Sequence, residues 1–124
     1  MQRIISIGIA MVVAMLITTG ASPARAEYGA LARDDTTGKY GLSSGEETQS
    51  KADDVAIKEC GSDGCKIVFR MGAGQCGAIA TPESGKAWGA GRRPDKAAAE
   101  LAAINNCQKQ TKGQCKVRSS GCNR

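Results

Sequence analysis

The chain has 124 residues, 17 lysines and arginines against 12 aspartates and glutamates for a formal charge of +5, six cysteines and no histidine. Without an imidazole base the common serine, cysteine and metal hydrolase arrangements are ruled out. Aromatic residues make up only 3% of the chain, so nucleic-acid binding, which calls for basic residues interleaved with stacking rings, lacks its signature.

The first residues read as an export signal. Arg3 gives the positive start, residues 4–17 an apolar run and Ala24-Arg25-Ala26 a small-residue cleavage pattern, so residues 1–26 form a signal peptide and the exported chain begins near Glu27. The run is shorter than the ~20 residues a spanning helix needs, which leaves no transmembrane anchor. Export to an oxidising space turns an even set of six cysteines into a disulfide framework, and the expected location is secreted or periplasmic. Residues 27–124 suffice for a single small domain whose bulky apolar side chains are few, so cross-links must supply part of its stability.

Residues 28–33 read as a short strand, 34–38 as a turn, 39–43 as a second strand and 44–47 as a polar loop. Thr48 is an N-cap for a helix in which Ala52, Val55, Ala56 and Cys60 share one stripe, and Gly61 stops it. Residues 66–71 alternate Ile67, Phe69 and Met71 against Lys66, Val68 and Arg70, which predicts a strand with one face on the core.

The plan then repeats. Gly29-Ala30-Leu31-Ala32 returns as Gly77-Ala78-Ile79-Ala80, and Gly38/Gly41 return as Gly85/Gly89. Strands are expected over 76–81 and 86–90 around a turn at 82–85, and Asp95 caps a helix carrying Ala99, Ala102, Ala103 and Cys107 on its stripe. Its short alanines imply a helix lying very close to a sheet or to its partner helix. A polar edge strand, 115–119, closes the chain. The expected fold is α+β: a duplicated strand-strand-helix-strand unit with pseudo-two-fold symmetry, copy one 27–75 and copy two 76–124, joined too tightly at 72–75 for separate domains.

Matched in order, Cys60, Cys65 and Cys76 correspond to Cys107, Cys115 and Cys122. Three bonds that survive a swap of the copies must include one joining equivalent cysteines, so one staple is expected to bridge the copies. We choose Cys76–Cys122 for it, with Cys60–Cys65 and Cys107–Cys115 tying each helix end to the following strand. The spacings are not zinc knuckles and no Cys-x-x-Cys pair exists, so no metal, redox role or cofactor is expected.

The most suggestive ligand site is Gly89, Gly91, Arg92 and Arg93, where glycines and a helix start admit an anion and two arginines can clamp it; a strand end and a turn explain the same glycines. Tyr28, Tyr40 and Trp88 beside the repeated glycines read as core more readily than as binding anchors. The adjacent carboxylates Asp34-Asp35, Glu46-Glu47 and Asp53-Asp54 are the remaining catalytic option, but neighbours on a helix diverge and the other pairs sit in turns or loops. Residues 27–75 carry six basic and nine acidic groups, residues 76–124 nine and three. Opposite signs let the halves attract each other, which is the preferred reading; the sharper alternative is that the basic half meets an anionic partner.

Tyr28-Gly29-Ala30-Leu31-Ala32, Glu59-Cys60-Gly61, Cys65-Lys66-Ile67-Val68, Cys76-Gly77-Ala78-Ile79-Ala80 and Gly121-Cys122-Asn123 together resemble the exported bacterial family called domain of unknown function 4189. The resemblance implies a signal peptide and a compact cysteine-containing α+β domain. It brings no catalytic residue and no established activity. The reading is a non-enzymatic exported module that recognises a protein or an anionic envelope component; a secreted inhibitor or host-directed effector, and an envelope enzyme using carboxylates, are the alternatives.

Overall fold

The computed structural model describes residues 27–124; the expected signal peptide lies outside the described residues. In chain order the elements are β1 (Tyr28–Asp34), β2 (Tyr40–Glu46), α1 (Gln49–Cys60), β3 (Cys65–Met71), β4 (Cys76–Thr81), β5 (Gly89–Arg93), α2 (Lys96–Gln108) and β6 (Lys116–Cys122). They form two similar strand-strand-helix-strand units. Thr48 and Asp95 cap the helices as their positions predict, their side chains accepting from the Lys51 N–H at 3.1 Å and the Ala98 N–H at 2.9 Å.

Each unit makes a three-stranded antiparallel sheet, β2-β1-β3 in the first and β5-β4-β6 in the second. The central strands are small and apolar because both of their faces are covered. Ala30 and Ala32 pack with Ala56 and Cys60 of α1, while Ala78 and Ala80 pack with Ala99, Ala103 and Cys107 of α2. Leu31 and Ile79 turn to the opposite faces and are fully buried with Met71. A methyl group on Gly77 would strike the Met71 sulfur and reach the Phe69 ring, which sets the first sheet against the second. The layers therefore run helix, sheet, sheet, helix.

Three strands differ from expectation by more than one residue. β2 continues through the predicted loop to Glu46, β5 begins at Gly89 instead of Lys86, and β6 extends to Cys122. The slip in β5 has a steric cause. Gly89 and Gly91 both face α2, where a methyl would collide with the Ala103 and Ala99 carbonyls, so glycines that look like strand breakers are what lets the helix settle on the strand.

A register shift between Leu31 and Ala32 in the β1–β3 ladder, matched by one between Ile79 and Ala80 in the β4–β6 ladder, passes over Val68 and Arg118. It divides the apolar set of β3. Ile67 packs under α1 with Ala32, whereas Phe69 and Met71 turn toward the second sheet, so the three do not share one face as simple alternation predicts.

All six cysteines are bonded, as Cys60–Cys65, Cys107–Cys115 and Cys76–Cys122. The expected bridge between the copies is corrected by the strand register. Cys76 and Cys122 are direct neighbours on β4 and β6, inside the second unit. Gly29 faces Met71 in the first sheet as Gly77 faces Gly121 in the second, so the counterparts of Cys76 and Cys122 are Tyr28 and Gly72, not each other. Among the described residues no disulfide joins the two units. Asn123 contributes a polar tie instead: buried, it donates to the Met71 and Gly72 carbonyls at 3.2 and 2.8 Å and accepts from the Gly45 N–H at 2.8 Å.

Candidate functional site

The residues expected to clamp an anion are not brought together. The surfaces of Gly89 and Gly91 are filled by α2, and Arg92 and Arg93 leave β5 on opposite faces. Arg92 donates to the Arg70 carbonyl at 2.7 Å and lies over Phe69 at 5.8 Å, which ties it to the first sheet. Arg93 instead borders an open groove of about 330 Å³ along the outer side of α2, near the exposed Leu101 and Lys109. Asp53 is held by Arg70 at 2.8 Å, which keeps its carboxyl below the usual range, while Asp54 stays exposed. The two do not converge on a common point.

A smaller cleft, about 160 Å³, opens between the β1–β2 turn and the β4–β5 turn and takes lining from both units. Arg33, Gly38 and Tyr40 come from the first, Thr81, Gly85 and Lys86 from the second. Gly38 and Gly85 hold left-handed backbone, φ 76° and 94°, which lets each turn reverse beside the other.

Asp34 fixes the first turn. Its carboxylate accepts from the Ser62 hydroxyl at 2.6 Å and from the Thr36 and Thr37 N–H groups at 2.8 and 3.3 Å, while its backbone bonds Gly38 and Lys39. The Ser62 hydroxyl, then the Thr36 amide, draw the carboxyl down to about 2 from the ordinary 3.8. A carboxyl lowered on folding stabilises the fold above its ordinary value, and this contribution is lost as pH falls from about 4 toward 2. Denaturant titrations should therefore show Asp34→Asn less stable than the parent at neutral pH, with the gap closing toward pH 2. A gap that is constant with pH would contradict the assignment.

Arg33 is the unusual group in the cleft. It is 95% buried by its 5% relative exposure, stands 4.7 Å over the Trp88 ring, and donates to the exposed Asp35 at 2.7 Å. Its other contact, to the Lys86 carbonyl, is long at 3.4 Å, and its Nε has no partner. Register places Arg33 opposite Lys66 and Thr81 opposite Lys116, so Thr81 is its counterpart in the second unit. Thr81 is engaged from outside by Arg118, at 2.9 Å through its hydroxyl and 3.2 Å through its carbonyl. A scaffold that is symmetric in backbone is thus asymmetric in charge at this point.

A family model described as a domain of unknown function (DUF4189) matches residues 28–122, from the start of β1 to the end of β6. The chain belongs to this family. The match to DUF4189 spans both units, and it assigns no chemistry to the cleft. Among solved structures the chain is similar to the NMR structure of Rv1813c from Mycobacterium tuberculosis, with 29% identity, 78% of this chain and 75% of that chain covered, and a TM-score of 0.57. No curated protein matches it.

Sequence reasoning passed over Arg33. The available signal was a charged residue two places after Leu31, on the inward side of a strand otherwise made of small apolar residues. Tyr40 and Trp88, expected in the core, are only half-buried; Tyr40 borders this cleft and Trp88 lies under Arg33.

Proposed function

We propose that the protein is an exported, non-enzymatic recognition module that binds a protein or an anionic envelope component at the cleft between the two hairpin turns. Arg33 carries this reading. Its side-chain ion pair is to an exposed carboxylate and its bond to the Lys86 carbonyl is long, so a guanidinium that is costly to bury keeps donor capacity at its Nη atoms for a ligand. That both units line the cleft gives the duplication a purpose, since neither unit forms the site alone. Three disulfides within 98 described residues support a secreted or periplasmic location, where thiols are oxidised. Arg92, Arg93 and the basic surface of the second unit draw an anionic partner at long range and do not clamp it.

A photo-crosslinking amino acid placed at Lys86, at Leu101 and at Lys58 in the exported protein tests this in producing cells. Adducts should form from Lys86, at the cleft, and not from Lys58 on α1. Adducts confined to Leu101 would move recognition to the α2 groove and overturn the reading, as would turnover of an envelope polymer abolished by a single carboxylate substitution.

A further inference from the structure

We infer that the cleft reads a carboxylate group on its ligand, with Arg33 as the reading residue and Asp35 as a built-in competitor for the same guanidinium; this rests on the recognition reading above. The molecule already displays the chemistry. The Asp35 carboxylate sits on Arg33 Nη1 at 2.7 Å, but Asp35 is 88% exposed while Arg33 is 5% exposed. The buried partner is the cation and the exposed one is a carboxylate, so this guanidinium already pairs with the group a ligand would offer.

An exposed carboxylate holding one guanidinium nitrogen is a weak competitor. A ligand carboxylate meeting the same fork through two parallel N–H donors makes a stronger, geometrically selective pair, and the long bond from Nη2 to the Lys86 carbonyl is readily exchanged. Lys86 is exposed and has no carboxylate within ion-pair distance among the described residues, so it supplies a second positive charge at the cleft. A volume of about 160 Å³ is room for about five waters, which suits a carboxylate with a few neighbouring atoms, such as a chain terminus, and not a folded domain.

Trp88 is the single tryptophan and lies beneath Arg33, so its fluorescence reports on the guanidinium that lines the cleft. The oxidised protein should be titrated with N-acetylalanine, with N-acetylalanine amide and with inorganic phosphate. The acid should give a saturable change in emission and the amide none. Asp35→Asn, which removes the competing carboxylate from an exposed position, should tighten binding about two- to five-fold, and Lys86→Ala should weaken it by a similar factor. Arg33→Gln should abolish saturation. Because Asp35→Asn is a gain, loss of folding cannot imitate it.

Equal responses to acid and amide, a response to phosphate alone, or Asp35→Asn leaving affinity unchanged would overturn the inference. If Lys86 cross-links persist in cells while the acid fails, carboxylate reading falls and the cleft remains a recognition site. Loss of both removes the two readings together.

Discussion

Replacing Cys76 with serine should lower stability by about 4 kcal/mol, against about 2 kcal/mol for Cys65→Ser, in denaturant titrations of the oxidised proteins. The difference follows from the loops closed: Cys76–Cys122 spans a separation of 46 residues and Cys60–Cys65 a separation of 5. Fold context points the same way. β3 meets the interior with Ile67, Phe69 and Met71, while their counterparts on β6 are Val117, Ser119 and Gly121. The second sheet thus keeps its outer strand with little apolar burial, and the bond at the end of the β4–β6 ladder does what side chains do in the first. Equal losses for the two variants, or a larger one for Cys65→Ser, would show that loop closure is not what sets their contributions.

Gly89→Ala should cost about 3 kcal/mol, the upper part of the range for overpacking, and Gly41→Ala should behave alike. Added methyl groups there meet backbone: the Cys107 nitrogen and Ala103 carbonyl for Gly89, the Cys60 nitrogen and Ala56 carbonyl for Gly41. Backbone cannot rotate away as a side chain can, so the whole helix must lift and the alanine layer beneath it opens. Gly72→Ala is the control, because its nearest neighbour is a glutamine side-chain oxygen at 3.7 Å and its backbone is not left-handed. Thermal unfolding of the three variants checks the ordering. Similar midpoints for Gly89→Ala and Gly72→Ala would mean that helix and strand are less tightly apposed than their contacts imply.

What was legible in the sequence was what is local. Thr48 and Asp95 cap their helices through bonds three residues away, and Cys60 and Cys107 find partners across short loops, so spacing alone carries the information. The duplication was legible too, because Gly29-Ala30-Leu31-Ala32 and its repeat occupy equivalent central strands. Matching cysteines by rank misled. Cys76 follows Cys65 in order, yet it opens the second unit: the match of Gly29 with Gly77 already sets Tyr28 against it, and strand register agrees. Not legible were the bulges, which move Ile67 to another face without any mark in composition, and the start of β5, whose glycines make sense only once α2 lies against them.

The cleft was the least legible part. Arg33 looks like a solvated charge at a strand end, and its burial depends on Trp88 and Lys86, more than fifty residues along and in the other unit. No window of local sequence contains that juxtaposition. Glycine-turn equivalence put Gly38 and Gly85 at matching places, but not next to each other.

The absence of a disulfide between the units, among the described residues, gives the cleft a thermodynamic meaning. In covalent terms the chain is two cross-linked beads on a short thread, 72–75, and their mutual orientation rests on reversible packing around Leu31, Met71 and Ile79 and on the grip of Asn123. Whatever seats between the turns holds both beads at once. On the recognition reading, occupancy and cohesion are linked quantities, and a ligand at this seam would do for the pair what no disulfide does.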